Sequence, residues 1–255
     1  MGLHEDLLAV AVDAEVVDVC LGLHWAGVQV RTAVGERCGL ASTLRPARLP
    51  GRHESPAVAQ AGELAMQRAR VLAERVPRGG PEASLGFAAL QALIPVRPER
   101  WVDGNAEGAL ASRSQGSRVA LVGRFGFASH LRSLAASLDV LELEPLPGES
   151  PAERASEILP RSDLIVITGM ALVNGSLEGL LAMCPPGSEV ALVGPSVPLS
   201  EVLFAHGVSL LCGAFVEKPA RVMAGIRQGA NFHQLHHLGT RLVTMERGAS
   251  AADGR

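Results

Sequence analysis

The sequence contains no tyrosine, and aromatic residues make up only 3% of its 255 positions. Proteins that bind single-stranded nucleic acid stack bases on aromatic side chains, so this class is disfavoured. Lysine occurs once, at Lys218, and no block of basic residues accompanies the net charge of −3. Nucleic acid and anionic membranes both attract clustered cations. We therefore expect neither of them as a partner.

Long hydrophobic runs are also missing. Although 47% of the residues are hydrophobic, no run approaches the roughly 20 residues of a membrane-spanning helix. The opening residues, MGLHEDLL, carry acids where a signal peptide carries cations. The four cysteines, at positions 20, 38, 184 and 212, contain no CxxC pair, which is typical of free thiols in a reducing compartment. These absences predict a cytoplasmic protein.

The familiar catalytic signatures are absent as well. The sequence has no GxSxG elbow, HExxH helix, Walker loop or kinase signature. Lys218 is a poor candidate for a Schiff base, because Glu217 and Pro219 beside it indicate the start of a helix. The catalytic residues are thus unassigned, and the sequence leaves open whether the protein is an enzyme.

The most regular stretch runs from Ser162 to Leu199. Two short apolar runs, Leu164 to Ile167 and Val190 to Val193, predict buried parallel strands, and each is followed by a polar loop containing glycine. Between them, Asn174 to Ser176 predicts a turn and a helix N-cap. The order strand, loop, helix, strand, loop is the βαβ pattern. Its loops follow the carboxyl ends of strands, where open α/β sheets bind ligands.

Two patterns divide the chain, and together they predict an α+β domain followed by an α/β domain. In residues 1–105, strands near the start precede helices, which favours a small α+β domain. In residues 106–255, strands and helices alternate from Arg118 onward, which favours a Rossmann-like parallel sheet covered on both faces.

Polar groups collect in the two loops of the βαβ stretch. Hydroxyls, an amide and backbone N–H groups there can hold a carboxylate, a phosphate or a metal-bound ligand without a strong charge. The alternative is that Asn174 and Ser176 only cap a helix and that the prolines only shape a loop. We interpret the loops as a binding site formed by Thr168, Gly169, Asn174, Ser176, Gly194, Pro195, Ser196, Val197 and Pro198.

A glycine-containing loop follows the strand at 119–122. Gly123 and Gly126 occupy two of the three glycine positions of a dinucleotide fingerprint, and the third is not glycine. Glu144, about twenty residues on, stands where an acidic residue holds a ribose. The alternatives are a nucleotide-binding loop and a tight strand-to-helix turn.

Three histidines near the end form an HxxHH pattern, His233, His236 and His237, on a predicted helix. Residues three and four apart share a helix face, and imidazoles there suit Zn, Ni or Cu. A solvated polar face is the alternative.

A second set of soft ligands lies near the amino terminus. Cys20 and His24 alternate along one strand, and Cys38 lies on the neighbouring strand. The same residues beside Trp25 also fit an ordinary core. The cofactor is unassigned, with a transition metal ion as the candidate to test.

Several segments together resemble the "putative heavy-metal chelation" domain family. They are GLHWAGV at 22–28, CGLAST at 38–43, GFAALQAL at 86–93, LIVITGMALVNGSLEGLL at 164–181 and VGPSVPLSEVLFAHGVSLLCG at 193–213. The resemblance covers most of the chain. It implies an N-terminal domain similar to the enolase N-terminal fold, a Rossmann-like C-terminal domain and a ligand site in the cleft between them.

The resemblance also implies which residues line that site. From the first domain they are His24, Trp25, Ser42 and Thr43, and from the second Thr168, Gly169, Asn174, Gly194, Pro195, Ser196 and Pro198. Two positions depart from the family pattern, since Ala26 stands where a threonine is expected and Gln91 where an asparagine is expected. A homo-oligomer is expected by the same analogy.

Three functions follow as hypotheses. The first is binding of a small molecule or metal complex, as in an enzyme of metallophore or metal-cofactor metabolism. The second is a nucleotide-dependent transferase or oxidoreductase that uses Gly123, Gly126 and Glu144. The third is a scaffold or regulator without catalysis.

Overall fold

The computed structural model describes residues 2–44 and 58–248. By its internal contacts the chain divides into an N-terminal unit, Met1–Val96 with Leu172–Gly175 and Ala214–Arg241, and a C-terminal unit, Arg97–Ala171 with Ser176–Gly213 and Leu242–Arg255. The sequence placed a single boundary after residue 105. In the division by contacts, residues 214–241 pack with the N-terminal unit instead.

The N-terminal unit is built on a three-stranded antiparallel sheet in the order β1-β2-β3. Its elements up to residue 96 are α1 (Leu3–Val10), β1 (Glu15–Leu21), β2 (Trp25–Thr32), β3 (Gly35–Ser42), α2 (Ala69–Ala73) and α3 (Gly80–Leu93), with 3₁₀ turns at Leu64–Met66 and Val76–Arg78.

After residue 96 the chain continues through elements of both units. They are β4 (Val102–Asp103), α4 (Ala106–Ser114), β5 (Arg118–Val122), α5 (Ala128–Leu134), β6 (Ser137–Glu142), β7 (Ser150–Pro151), α6 (Ala155–Ile158), β8 (Leu164–Thr168), α7 (Met170–Val173), α8 (Leu177–Leu181), β9 (Glu189–Val193), α9 (Val202–Ala205), β10 (Leu210–Val216), α10 (Pro219–Arg227), α11 (Phe232–Gly239) and β11 (Thr240–Glu246). Single 3₁₀ turns lie at Pro98–Arg100, Ala152–Arg154 and Leu159–Arg161. Among these elements, α10 and α11 belong to the N-terminal unit.

Helices cover the antiparallel sheet on both faces. On one face α3 lies so close to β3 that a Cβ atom on Gly39 would be 2.0 Å from the Ala88 carbonyl oxygen. On the other face, a Cβ on Gly27 would be 2.6 Å from Ile226 Cδ1 of α10. Gly27 pairs with Leu40, the next residue after Gly39, and paired residues face the same side of a sheet. Since successive residues of a strand face opposite sides, Gly27 and Gly39 lie on opposite faces. The core on the α10 side contains Cys38, Leu40, Val216, Val222, Met223, Ile226, Ala230 and Leu235.

The second sheet has eight strands in the order β4-β11-β10-β9-β8-β5-β6-β7. Neighbours from β9 through β7 pair in parallel, as do β10 and β9, and β11 pairs antiparallel with β4. The runs RVALV, LIVIT and EVALV form β5, β8 and β9 because strands buried on both faces need continuous apolar residues. The small antiparallel sheet and the mostly parallel sheet confirm the predicted fold class.

The order in which strands are added to this sheet reverses in its middle, although the strands there all run parallel. From β5 the chain continues to β6 and β7 on one side, and it then returns to place β8 on the other side of β5. The switch point, at which open α/β sheets generally bind ligands, therefore lies between β5 and β8. No helix among residues 2–44 and 58–248 is long and apolar enough to cross a membrane.

Candidate functional site

Glycines end three neighbouring parallel strands at the carboxyl edge of the large sheet. The Gly123 N–H donates to the Leu141 carbonyl at 2.9 Å, the Gly169 N–H to Val193 at 2.8 Å, and the Gly194 N–H to Cys212 at 2.9 Å. Each bond extends the sheet by one residue onto its neighbour. The loops that follow β5, β8 and β9 therefore start side by side.

The loop backbones approach too closely for larger residues. A Cβ on Gly169 would lie 2.9 Å from Val197 Cγ2 and 3.2 Å from the Val197 backbone nitrogen. Val197 is held by its own turn, since its N–H donates to Gly194 at 3.0 Å. The predicted convergence of the loops at Thr168-Gly169 and Gly194 to Pro198 is thus seen within the C-terminal unit.

Gly123 and Thr168 flank the switch point. Gly123 has φ +110°, a conformation that favours glycine, and a Cβ there would be 3.0 Å from Thr168 Cβ. The Thr168 hydroxyl oxygen accepts the Met170 N–H at 3.3 Å. Its hydroxyl proton has no acceptor among the described residues. This side chain can therefore donate a hydrogen bond to a ligand.

Replacing Gly123 with alanine is expected to lower the free energy of unfolding by roughly 1–3 kcal/mol, because the positive φ and the contact with Thr168 both strain the new residue. Urea denaturation measures this. Gly126→Ala is the matched control, since a Cβ there meets no atom within 4 Å, and its effect should stay within about 0.5 kcal/mol. Equal effects at the two positions would contradict the described loop.

The other predicted residues, in the loop after β9 and in the turn before α8, differ in exposure. Ser196 is only 1% exposed, and Pro198 is also buried, whereas Gly194 and Pro195 are half-buried. Asn174 and Ser176 are exposed. By contacts, residues 172–175 group with the N-terminal unit.

The predicted helix cap is only partly seen. Ser176 is the residue before α8, but its side chain makes no capping hydrogen bond, and its backbone is already helical, with φ −83° and ψ −12°. A capping serine needs an extended backbone to reach the first free N–H groups.

The predicted residues of the N-terminal unit lie at one end of its sheet. Trp25 pairs with Ser42, and the Thr43 N–H donates to the His24 carbonyl at 2.9 Å. The Thr43 hydroxyl donates to the Gly22 carbonyl at 3.0 Å. These bonds bring the four residues together within their own unit.

Trp25 has an unusual polar environment. Its ring packs against Phe232 with centroids 5.8 Å apart, while its Nε1–H is buried and has no acceptor among the described residues. A buried donor without a partner costs about 1–3 kcal/mol, so an acceptor supplied by a ligand would be favoured there.

The two residues expected to depart from the family pattern, Ala26 and Gln91, have structural roles. Ala26 is fully buried between Leu21 and Ala41 on the neighbouring strands. The Gln91 side-chain oxygen accepts the Leu40 N–H at 2.6 Å, which ties α3 to β3.

The two candidate metal-binding cysteines, Cys20 and Cys38, lie in surroundings that disfavour the thiolate form. Burial, with smaller contributions from Asp18 and Cys20, raises the pKa of the Cys38 thiol to about 12. Burial also raises the pKa of Cys20. Thiols bind metals as thiolates, and both groups are protonated at neutral pH.

The metal candidates do not form a closed site. Across residues 2–44 and 58–248, no three His, Cys, Asp or Glu side chains are grouped so that they could hold a metal ion. His24 is exposed at a strand end, and His233, His236 and His237 are exposed on α11. A resident ion with three protein ligands therefore does not fit the described residues, and no step of a mechanism is built on one.

The glycine loop after β5 is fixed by an arginine. Arg124 donates from Nε and Nη2 to the Glu149 carboxylate, at 2.9 and 2.6 Å, and from Nη2 to the Glu144 carbonyl at 3.3 Å. Bonding to Arg124 lowers the pKa of Glu149 to about 2. The loop with Gly123 and Gly126 is thus linked to the Glu144 segment. The helix that follows, α5, has only seven residues.

Comparison with known proteins gives two family matches and several similar solved structures, including one from Desulfitobacterium hafniense and one from Pyrococcus horikoshii. Residues 107–245 match the DUF364 family and residues 4–94 match the DUF4213 family, both described as "Putative heavy-metal chelation". A DUF364 protein with unknown function from Desulfitobacterium hafniense DCB-2 is 25% identical, with a TM-score of 0.80 over 96% of this chain and 98% of that one. A DUF364 protein with unknown function from Pyrococcus horikoshii has a TM-score of 0.77 at 19% identity over the same shares, which shows the fold alone.

The comparison with curated proteins gives no match. The DUF364 match covers more than half of the chain and includes the loops at the carboxyl edge of the large sheet. The DUF4213 match covers the antiparallel sheet and α3. The resemblance seen in the sequence is confirmed: the chain belongs to the DUF364 family, described as "Putative heavy-metal chelation".

Proposed function

We propose that the carboxyl edge of the large sheet binds a small molecule or a metal complex at the switch point between β5 and β8. The observation that carries this proposal is the meeting of Gly123 and Thr168 at that point, with the Thr168 hydroxyl proton free to donate among the described residues. Ligands of open α/β sheets generally bind at such a switch point, outside the carboxyl ends of the strands.

The chemistry of this edge favours recognition by hydrogen bonds. Three glycine turns start side by side there, and the predicted contacts from this unit are Thr168, Gly169, Gly194, Pro195, Ser196 and Pro198. Such a site suits a carboxylate-bearing chelator carrying its metal, because the chelator's oxygens accept hydrogen bonds while the ion is already coordinated. The family description supports a metal-related ligand.

The test is a thermal-shift and calorimetry series on the full, untagged chain after chelator treatment. The probes are Zn²⁺, Ni²⁺, Co²⁺ and Cu²⁺, each alone and as its citrate complex. A complex present at 100 times its Kd stabilises the folded state by about 2.7 kcal/mol, which raises the Tm of a chain this size by roughly 5–10 °C. No shift with any complex would contradict the metal-complex part of the proposal.

A matched pair of variants locates the site. Thr168→Val removes one donor at nearly constant volume and should weaken binding of the complex about threefold to tenfold, the equivalent of one hydrogen bond. Thr244→Val is the control, because its hydroxyl donates to the Val102 carbonyl at the β11–β4 pair. If both variants bind the complex as the original chain does, the site lies elsewhere.

A second candidate is a nucleotide-dependent transferase or oxidoreductase. It is favoured by the bonds of Arg124, which link the Gly123 loop to the Glu144 segment. Calorimetry with NAD(P), S-adenosylmethionine and ATP tests this candidate. If none of the three binds, the nucleotide-dependent function is excluded. The contributions of His24, Trp25, Ser42, Thr43 and Asn174, the cytoplasmic location and the homo-oligomer all stay predictions.

A further inference from the structure

Helix α11 places His233 and His237 one turn apart on an exposed face. Its start is fixed by a capping box, in which the Asn231 side chain accepts the Gln234 N–H and the Gln234 side chain accepts the Asn231 N–H, each at 3.0 Å. Leu235, fully buried, anchors the opposite face of the helix. The two histidines thus stand on a short but well-supported scaffold.

The spacing of the two rings fits a shared ion. Metal–nitrogen bonds of about 2.0–2.1 Å, with ring centres about 1.2 Å further out and a ligand angle of about 90–110°, separate the centroids by about 4.5–5.4 Å. The centroids of His233 and His237 are 4.7 Å apart, with the rings edge to face. Those of His236 and His237 are 5.9 Å apart, outside this range.

The rings are also available. Neither His233, His236 nor His237 has a hydrogen-bond partner among residues 2–44 and 58–248. By contrast, His130 bonds the Glu107 carboxylate at 2.7 Å, and His4 bonds the Ala73 carbonyl at 3.2 Å. The imidazole nitrogens of α11 therefore remain open to a ligand.

We propose that His233 and His237 form an exchangeable surface site for a divalent transition-metal ion. Two imidazoles supply two ligands, and water or the donors of a small chelator complete the coordination, which agrees with the lack of any described group of three protein ligands. Copper binds more tightly than nickel or zinc at such a nitrogen site. This site is distinct from the proposed ligand site at the carboxyl edge of the sheet and does not depend on it.

The test is calorimetric titration of the full, untagged chain with Zn²⁺, accompanied by Cu²⁺ titration followed by electron paramagnetic resonance. His237→Gln should weaken Zn²⁺ binding by at least about tenfold, a factor that loss of a ligand-supporting contact alone can reach. In the Cu²⁺ spectrum, the same change should reduce the nitrogen coupling. His233→Gln should have the same effects.

The matched control is His236→Gln, because His236 and His237 both lie in the last turn of α11 and are both exposed. It should change Zn²⁺ affinity less than about threefold, well below a ligand loss. Equal weakening by His236→Gln and His237→Gln, or weakening by neither, would overturn the site. Thr168→Val should leave Zn²⁺ binding unchanged, so failure here and failure at the sheet edge are separate results.

Discussion

Replacing Gly39 with alanine is expected to lower the free energy of unfolding by about 3 kcal/mol or more, at the upper end for an overpacked site. A Cβ there would lie 2.0 Å from the Ala88 carbonyl oxygen and 2.6 Å from the Ala92 backbone nitrogen. Backbone atoms of a helix do not rotate away as a side chain does. The whole of α3 must therefore shift from β3, which breaks the Gln91 to Leu40 hydrogen bond as well.

Chemical denaturation followed by circular dichroism measures this loss. Gly179→Ala serves as the control, since Gly179 lies inside α8 and a Cβ there meets nothing within 4 Å. Alanine is favoured over glycine within helices, so this change should stabilise the protein by roughly 0.5–1 kcal/mol. A Gly39→Ala variant as stable as the original would show that α3 and β3 are further apart than described.

Replacing Arg75 with methionine is expected to lower the free energy of unfolding by about 3–5 kcal/mol, the usual loss when one partner of a buried ion pair is removed. The Arg75 side chain is 2% exposed and its Nη1 donates to Glu82 at 3.1 Å and to the Ala59 carbonyl at 2.9 Å. Its Nη2 donates to the side chains of Gln60 and Gln67, each at 3.0 Å. Methionine fills most of the volume but removes the buried donor from all four acceptors. Glu82 then keeps Arg78 and the Ala59 N–H, and Gln60 keeps the Gln67 amide.

Arg78→Met is the control for Arg75→Met. Arg78 pairs with the same Glu82 carboxylate at 3.4 Å, but its side chain is 56% exposed. Exposed ion pairs contribute about 0–1 kcal/mol, so this variant should stay within that range. Urea midpoints of the two variants decide the comparison, and similar losses in both would mean that burial of Arg75 is not what gives its contacts their strength.

The strands of the large sheet could be predicted closely from the sequence. Runs such as Leu164 to Ile167 and Val190 to Val193 are continuous and apolar, and the observed strands β8 and β9 differ from them by one residue. By contrast, the sequence from Val58 to Arg75 predicts one long helix, and this is wrong, since only Ala69–Ala73 is α-helical there. Gln60 and Gly62 both have a positive φ, which prevents a regular α-helix in the residues before Ala69.

The last strand was missed because its signal is short. The last run that predicts a strand in the sequence is Val208 to Leu211, but β11 follows at Thr240–Glu246 and pairs with β4. Gly239, at φ +127°, marks its start, and the run TRLVTME has the mixed burial of a strand rather than the apolar run of β8. Pairing with a two-residue strand more than a hundred positions away is not visible in local sequence.

The candidate site was predicted only in part. Loop positions at strand ends could be inferred, because parallel strands place their carboxyl ends at one edge. The close approaches at Gly123 and Gly169 could not, because they depend on atoms of Thr168 and Val197 from other loops. The packing of α10 on the antiparallel sheet was also hidden, although Gly22 and Gly27 mark its position by the lack of a side chain.

The packing of α10 on the antiparallel sheet limits which segments can be exchanged between relatives of this protein. The antiparallel sheet is encoded by the first 96 residues, but the helices covering one of its faces are encoded within residues 214–241. A chimera that exchanges only the first segment between relatives would pair a sheet with helices evolved for a different one. Functional hybrids should therefore require both segments to be inherited from the same parent.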